Sequence, residues 1–264
     1  MYDAFPDLPE IYDSVPAYVA RRDVAFYVDE AKDAGGRVLE VGCGTGRVLL
    51  PIARSGRAID GIDASPPMLE RCRAKLQGEP DDVRQRVTLH RADARKFDLG
   101  HQFDLVIAPF RVMQHLISIE DQLAFLESAA RHLTPGGRLA FDVFNPHFSA
   151  LVSADGTERE DTPDTKLPDG RSFRRAGAVA RVRWIDQVSE VELVYYISRE
   201  AGAPIERRVQ SFDMRWFLCA ELVHLLARTG FQVRSIYGDF NRSPLTDKSP
   251  EQIVCAERVT PPAT

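Results

Sequence analysis

The sequence predicts an α/β fold: a doubly wound, mostly parallel sheet into which an antiparallel β-meander is inserted. Two observations carry this. Up to residue 144, short apolar runs alternate with helical stretches, as expected for strands buried on both faces and joined by crossover helices. Beyond Asn145-Pro146 the rhythm changes to a period of two, and it returns near Cys219.

The elements follow in order. A helix is expected from Pro16 to Ala34, stopped by Gly35-Gly36. Strands are expected at 37–41, 58–63, 87–92 and 103–108, with helices at 46–54 and from Pro66 to Leu76. Ser65 reads as the N-cap of the latter, with Pro66 and Pro67 in its first turn. A helix at 119–133 stops at Pro135-Gly136-Gly137, and a fifth strand runs from 138 to 144. Residues 153–170 read as a long polar loop, followed by meander strands at 179–184, 190–196 and 207–216. A helix at 219–229 and strands at 232–237 and 252–258 close the domain, and a frayed tail is expected from Thr260. The expected division is one α/β domain from 1–144 and 212–264, opening with a helical lid, and an inserted substrate cap at 145–211.

The chain of 264 residues is long enough for a sizeable core, and its 44% apolar content is ordinary. A net charge of −5 opposes binding to nucleic acid or an anionic membrane surface. No apolar run reaches membrane-spanning length, and the start at Met1 lacks a basic, apolar signal segment. Cys43, Cys72, Cys219 and Cys255 lie far apart with no CxxC pair, so no metal site is expected. A reducing cytoplasm is the expected compartment.

The sharpest motif is Val38-Leu39-Glu40-Val41-Gly42-Cys43-Gly44-Thr45-Gly46-Arg47, leaving the first strand. Glycines there allow a tight turn and close backbone approach to a ligand. A dinucleotide fingerprint needs G-x-G-x-x-G; here Arg47 holds the third glycine position. Glu40, two residues before the first glycine, suits a ligand with a positive end and no pyrophosphate.

Glu40-Val41-Gly42-Cys43-Gly44-Thr45-Gly46 resembles the first motif of class I S-adenosylmethionine (SAM)-dependent methyltransferases, nearest to bacterial small-molecule N-methyltransferases. The resemblance implies a Rossmann-like, mostly parallel seven-stranded sheet with SAM as cofactor. It implies donor contacts from Glu40, Gly42, Cys43, Gly44 and Gly46, and from Ala64 and Met68 around the second strand end. Asp63 would take the ribose hydroxyls, while Asp93 and Ala94 would meet the adenine. Phe103-Asp104-Leu105-Val106-Ile107-Ala108-Pro109-Phe110 resembles the fourth-strand motif, with Pro109 beside the methyl donor.

Methyl transfer needs an aligned nucleophile and, for a protonated one, a base. His115, just past the fourth strand, has a suitable intrinsic pKa; its bland reading is a helix-start histidine bonded to backbone. Tyr12 corresponds by resemblance to a tyrosine that closes over donor and acceptor; packing of an N-terminal arm is the plainer reading. Arg111 and Gln114 are candidate acceptor contacts, Arg111 alternatively a structural ion pair. The insert's arginines read as a solvated strand face paired with Glu190, Glu192 and Glu206.

The expected function is methyl transfer to nitrogen, or else oxygen, of a small metabolite, with a homodimer as one possible assembly. A nucleic-acid or protein methyltransferase, a nicotinamide-dependent oxidoreductase and a non-catalytic SAM-binding module stay open as alternatives.

Overall fold

The computed structural model describes residues 5–199 and 204–259. The Met1 start, Tyr2 and the tail from Thr260 lie outside the described residues. In chain order the helices are α1 (Leu8–Ser14), α2 (Pro16–Val19), α3 (Asp23–Ala34), α4 (Leu49–Arg54), α5 (Pro66–Gln77), α6 (Asp81–Arg84), α7 (Ile119–His132), α8 (Phe148–Val152) and α9 (Cys219–Arg228). The strands are β1 (Val38–Val41), β2 (Ile59–Asp63), β3 (Val87–Arg91), β4 (Phe103–Ala108), β5 (Leu133–Phe144), β6 (Arg159–Lys166), β7 (Ser172–Arg183), β8 (Val188–Ser198), β9 (Glu206–Arg215), β10 (Phe231–Tyr237) and β11 (Glu251–Arg258). A 3-10 turn spans Val112–His115.

These elements form two compact units. The larger comprises Arg22–Asn145 and the chain from Phe217 onward. Its seven strands run in the order β10-β11-β5-β4-β1-β2-β3. β1 pairs in parallel with both β2 and β4, while β11 is antiparallel to β5 and β10. Strand order reverses between β1 and β4, and the carboxyl ends there are where such sheets bind ligands. β1 is buried along its whole length, which explains the apolar Val38, Leu39 and Val41 and leaves Glu40 as a buried acid among them. One core layer gathers Phe103, Phe125, Phe141 and Phe217; the other gathers Tyr27, Leu49, Ile52 and Ile59.

The smaller unit joins the segment through Arg21 to Pro146–Trp216. β6, β7, β8 and β9 form a consecutive antiparallel meander. The expected boundary is therefore redrawn: α1 and α2 belong with the insert, not with the α/β sheet. The reason is a shared core in which Phe5, Leu8, Ile11 and Val15 meet Phe173 and Ile197. Arg171 and Arg208 both pair with Asp7, just before α1.

Other expectations shift locally. The helix at 16–34 breaks into α2 and α3. The loop at 153–170 contains β6, whose charged residues conceal a strand paired to β7. Pro135-Gly136-Gly137 does not merely stop α7. Leu133 faces Phe103 and Arg138 faces Leu105, so the turn bulges out of β5, with Gly136 at φ +76°. The helix predicted from Gly46 starts only at Leu49, because Gly46 has φ +83°, outside the helical region. Ser65 stands at the N-cap of α5, but its side chain makes no capping hydrogen bond. No described helix is long and apolar enough to cross a membrane.

Phe141 is fully buried in the centre of β5. Phe141→Ala is expected to destabilise the protein by about 3–5 kcal/mol, read as a lower urea midpoint with an unchanged m-value; an unaltered midpoint would contradict this packing.

Candidate functional site

The turn after β1 is made by left-handed residues. Gly42, Gly44 and Gly46 have φ of +72°, +53° and +83°, a region that side chains with a Cβ rarely enter. A Cβ on Gly42 would also stand 2.6 Å from Val112 Cγ2. The 3-10 turn that follows β4 therefore packs directly on the glycine loop. The loop is anchored to β2: the Gly42 and Cys43 N–H groups donate to the Ile62 carbonyl at 2.8 and 3.0 Å. Asp63 completes the anchor. Its Oδ2 accepts from Gly44 N–H and its Oδ1 from Ser65 N–H, each at 2.8 Å.

Glu40 is 2% exposed, and among the described residues its Oε2 has no hydrogen-bond partner. Burial holds its carboxyl well above the usual carboxylate range, opposed by Arg47 and reinforced by Asp23 and Asp63. Arg47 donates through both terminal nitrogens to Asp23, each at 2.7 Å. This buried pair fastens the start of α3 to the glycine loop. Burial also raises the Cys43 thiol, which keeps it an unreactive packing group. Met68 lies buried under the loop, its Cε 3.4 Å from where a Cβ of Gly44 would be. Ala64 is exposed at the rim.

Asp93, beyond β3, accepts from the Arg95 backbone N–H at 2.9 Å and from its guanidinium at 2.5–3.1 Å. The hydrogen bonds from Arg95 lower its pKa. Arg95 also reaches Asp121 at the start of α7. Ala94 is partly buried beside it.

Past β4, Pro109 is buried and the backbone then takes an unusual course. Phe110 and Arg111 are consecutive non-glycine residues with φ +58° and +69°. Such conformations store on the order of 1–3 kcal/mol each and persist only where surroundings impose them. Asp142 on β5 imposes this one: its Oδ1 accepts from Phe110 N–H at 2.9 Å and from Tyr27 hydroxyl at 2.7 Å. Arg111 pairs with Glu251 at 2.8 Å and lies 3.4 Å from the centre of the Phe144 ring. Gln114 is 1% exposed, and its Oε1 accepts from Phe144 N–H at 2.8 Å. The structure thus gives Arg111 and Gln114 partners within the fold; both hold the turn onto β5 and β11. His115 ends the 3-10 turn, half-buried.

Tyr12 belongs to the smaller unit, its ring 5.0 Å from that of Tyr18. Tyr18 hydroxyl accepts from Arg175 at 2.6 Å, and Arg175 also pairs with Asp161 at 2.8 Å. Arg183, Arg207 and Arg208 are likewise paired, with Glu190, Glu158 and Glu206. The insert's arginines are therefore mostly ion-paired, as expected, although Arg175 is buried rather than solvated.

Along the carboxyl edge of the larger unit the order is thus Asp93, Asp63, the glycine loop with Glu40, and the strained turn. At about 4.8 Å per strand these positions span about 14 Å. Hydrogen-bond acceptors line one half, and an unpartnered buried carboxyl oxygen marks the other. This set fits a ligand with a nucleoside at one end and a cation at the other. Asp23, Asp142 and Glu251 had escaped the sequence reading. Only Asp142 left a trace, as a lone acid in the apolar stretch Leu139-Ala140-Phe141-Asp142-Val143-Phe144.

A family model described as "Methyltransferase domain" matches residues 39–139. A dTDP-3-amino-3,4,6-trideoxy-alpha-D-glucopyranose N,N-dimethyltransferase of Streptomyces venezuelae is 31% identical over 60% of this chain and 61% of its own. The cypemycin N-terminal methyltransferase of a Streptomyces species is 27% identical over 94% of this chain and 95% of its own. A SAM-bound amino pentose methyltransferase from Micromonospora echinaspora has a similar structure, with TM-score 0.67, 26% identity and 90% coverage of each chain.

Asp63→Ala is expected to weaken binding of S-adenosylhomocysteine about 10- to 100-fold, through lost acceptors and a loosened loop; calorimetry reads this directly. Asp142→Ala should destabilise the protein by about 1–3 kcal/mol, because two buried donors lose their acceptor. Asp142→Asn, which keeps a carbonyl oxygen there, should recover most of that loss in urea unfolding.

Proposed function

The chain belongs to the class I SAM-dependent methyltransferases, and from that premise we propose that it methylates an amino nitrogen of a small molecule, with aminodeoxy sugars carried on a nucleotide as the first class of acceptor. The observation that supports the reading is the edge itself: Asp93, Asp63 and Glu40 stand in the order of the donor's parts, next to a strained turn that bears His115. The nitrogen acceptor rests on the similarity to N-methyltransferases.

When bound, SAM supplies a methyl group made electrophilic by its sulfonium. In this reading Asp63 and the glycine loop hold the ribose and fix the donor along the sheet edge. Asp93 accepts from the adenine amino group while Ala94 meets the ring. The turn at 109–115 brings the acceptor into line, which is most of what such a displacement requires. An amine is largely protonated at neutral pH, so its lone pair must be freed. His115 takes that proton. Tyr12 enters through the resemblance of Ile11-Tyr12-Asp13 to the tyrosine of small-molecule N-methyltransferases, and supplies an aromatic face for positive charge.

The test is incubation with SAM and a dTDP-3-amino-3-deoxy sugar, with a peptide bearing a free N-terminus as a second arm. A gain of one or two methyl groups on the sugar by mass spectrometry is expected. Methylation of the peptide alone would move the acceptor class. His115→Ala should slow transfer about a hundredfold or more while leaving S-adenosylhomocysteine affinity unchanged; equal loss of both would make His115 structural.

A further inference from the structure

The buried carboxyl of Glu40 has a consequence for how the donor binds. Its Oε2 lies at the carboxyl end of β1, sealed from solvent and without a donor among the described residues. The groups that face it are Arg47 from the glycine turn, Asp23 from α3, Asp63 from β2 and the Cys43 thiol. Arg47 attracts a charge on it, but makes no hydrogen bond to it through Nη1 or Nη2, which both donate to Asp23, itself fully buried, and burial remains the larger influence. Asp63 and Asp23 add like charge. An ionised carboxylate there would be desolvated and would face two like charges against the one opposite charge of Arg47. Such a group sheds its charge by keeping its proton. Burial pushes this carboxyl in that direction.

The donor and its demethylated product both carry an ammonium on their amino-acid end. Resting on the donor site argued above, we propose that Glu40 ionises as it receives this ammonium, so that each donor bound expels one proton to solvent and ligands lacking the amino-acid end do not trigger the release. The balance is simple. The O–H bond of the Glu40 carboxyl breaks and its proton passes to buffer. The resulting carboxylate pairs with an ammonium that keeps all three of its hydrogens. The ion pair supplies the donor that Oε2 lacks, and a charge-assisted bond is the stronger kind. Glu40 is thereby a specificity residue for the amino-acid end as well as a wall of the site.

The experiment is calorimetric titration of the whole protein near neutral pH, in buffers of different ionisation enthalpy. The probes are S-adenosylhomocysteine and 5′-methylthioadenosine, which lacks the ammonium. For the wild type, about one proton should be released per S-adenosylhomocysteine bound and about none per methylthioadenosine. Glu40→Gln, neutral in both states, should bind S-adenosylhomocysteine about tenfold or more weakly and release no proton. Wild-type binding without proton release would overturn the proposal and leave the donor site intact. Equal release with both probes, or undiminished release from Glu40→Gln, would overturn the assignment to Glu40. Failure of the wild type to bind either probe would remove the donor site itself, and this inference with it. The comparison of the two probes on the wild type stands even if the variant does not fold.

Discussion

The anchoring of the left-handed glycine turn to the end of β2 is the constraint on which the carboxyl edge of the sheet depends. Gly42, Gly44 and Gly46 turn the chain sharply, and a flexible turn of this kind needs external fixing. Asp63 provides it by accepting from Gly44 N–H at 2.8 Å, so an acid at a strand end holds the loop. The Arg47–Asp23 pair does the same from the other side, tying the loop to α3. The turn therefore has one arrangement, and Glu40 at its base is held where solvent cannot reach it.

The second turn of the site is fixed by a different device. At Phe110 and Arg111 no glycine relieves the positive φ angles. Their conformation is imposed by partners: Asp142 from β5, Glu251 from β11 and the Phe144 ring. Val112 then seats against Gly42, so the strained turn and the glycine turn are packed as one piece. A substitution in either will be felt in the other, and energies measured at the two will not add.

The inserted unit is held together on other terms. Its sheet is a plain meander, and most of its arginines are paired with carboxylates. Exposed pairs of that kind contribute little each, and the unit's stability rests on the apolar core shared by α1, β7 and β8. The buried Arg175 is the exception. With Asp161 and Tyr18 around it, it specifies how the N-terminal segment is seated and, through the Tyr12–Tyr18 ring contact, where Tyr12 stands.

What the sequence by itself determined is local in origin. The alternation of apolar runs with helices, the glycine turn after β1 and the acids at the ends of β2 and β3 each follow from neighbouring residues, through side-chain period and the φ angles only glycine tolerates. Glu40 and Asp63 were legible for that reason. What only the tertiary structure decided involves partners distant in the chain. Phe110 and Asp142 are 32 residues apart, and Arg111 and Glu251 are 140 apart. No spacing rule links them, so only the sheet order shows which groups of β5 and β11 meet Arg111 and Gln114. The same holds for α1 and α2, which precede the α/β sheet in the chain yet share a core with β7 and β8. It holds also for β6, whose charged residues gain strand structure only from pairing with β7. Local chemistry wrote the glycine turn and the strand-end acids; long-range pairing set the strained turn and joined α1 and α2 to the insert.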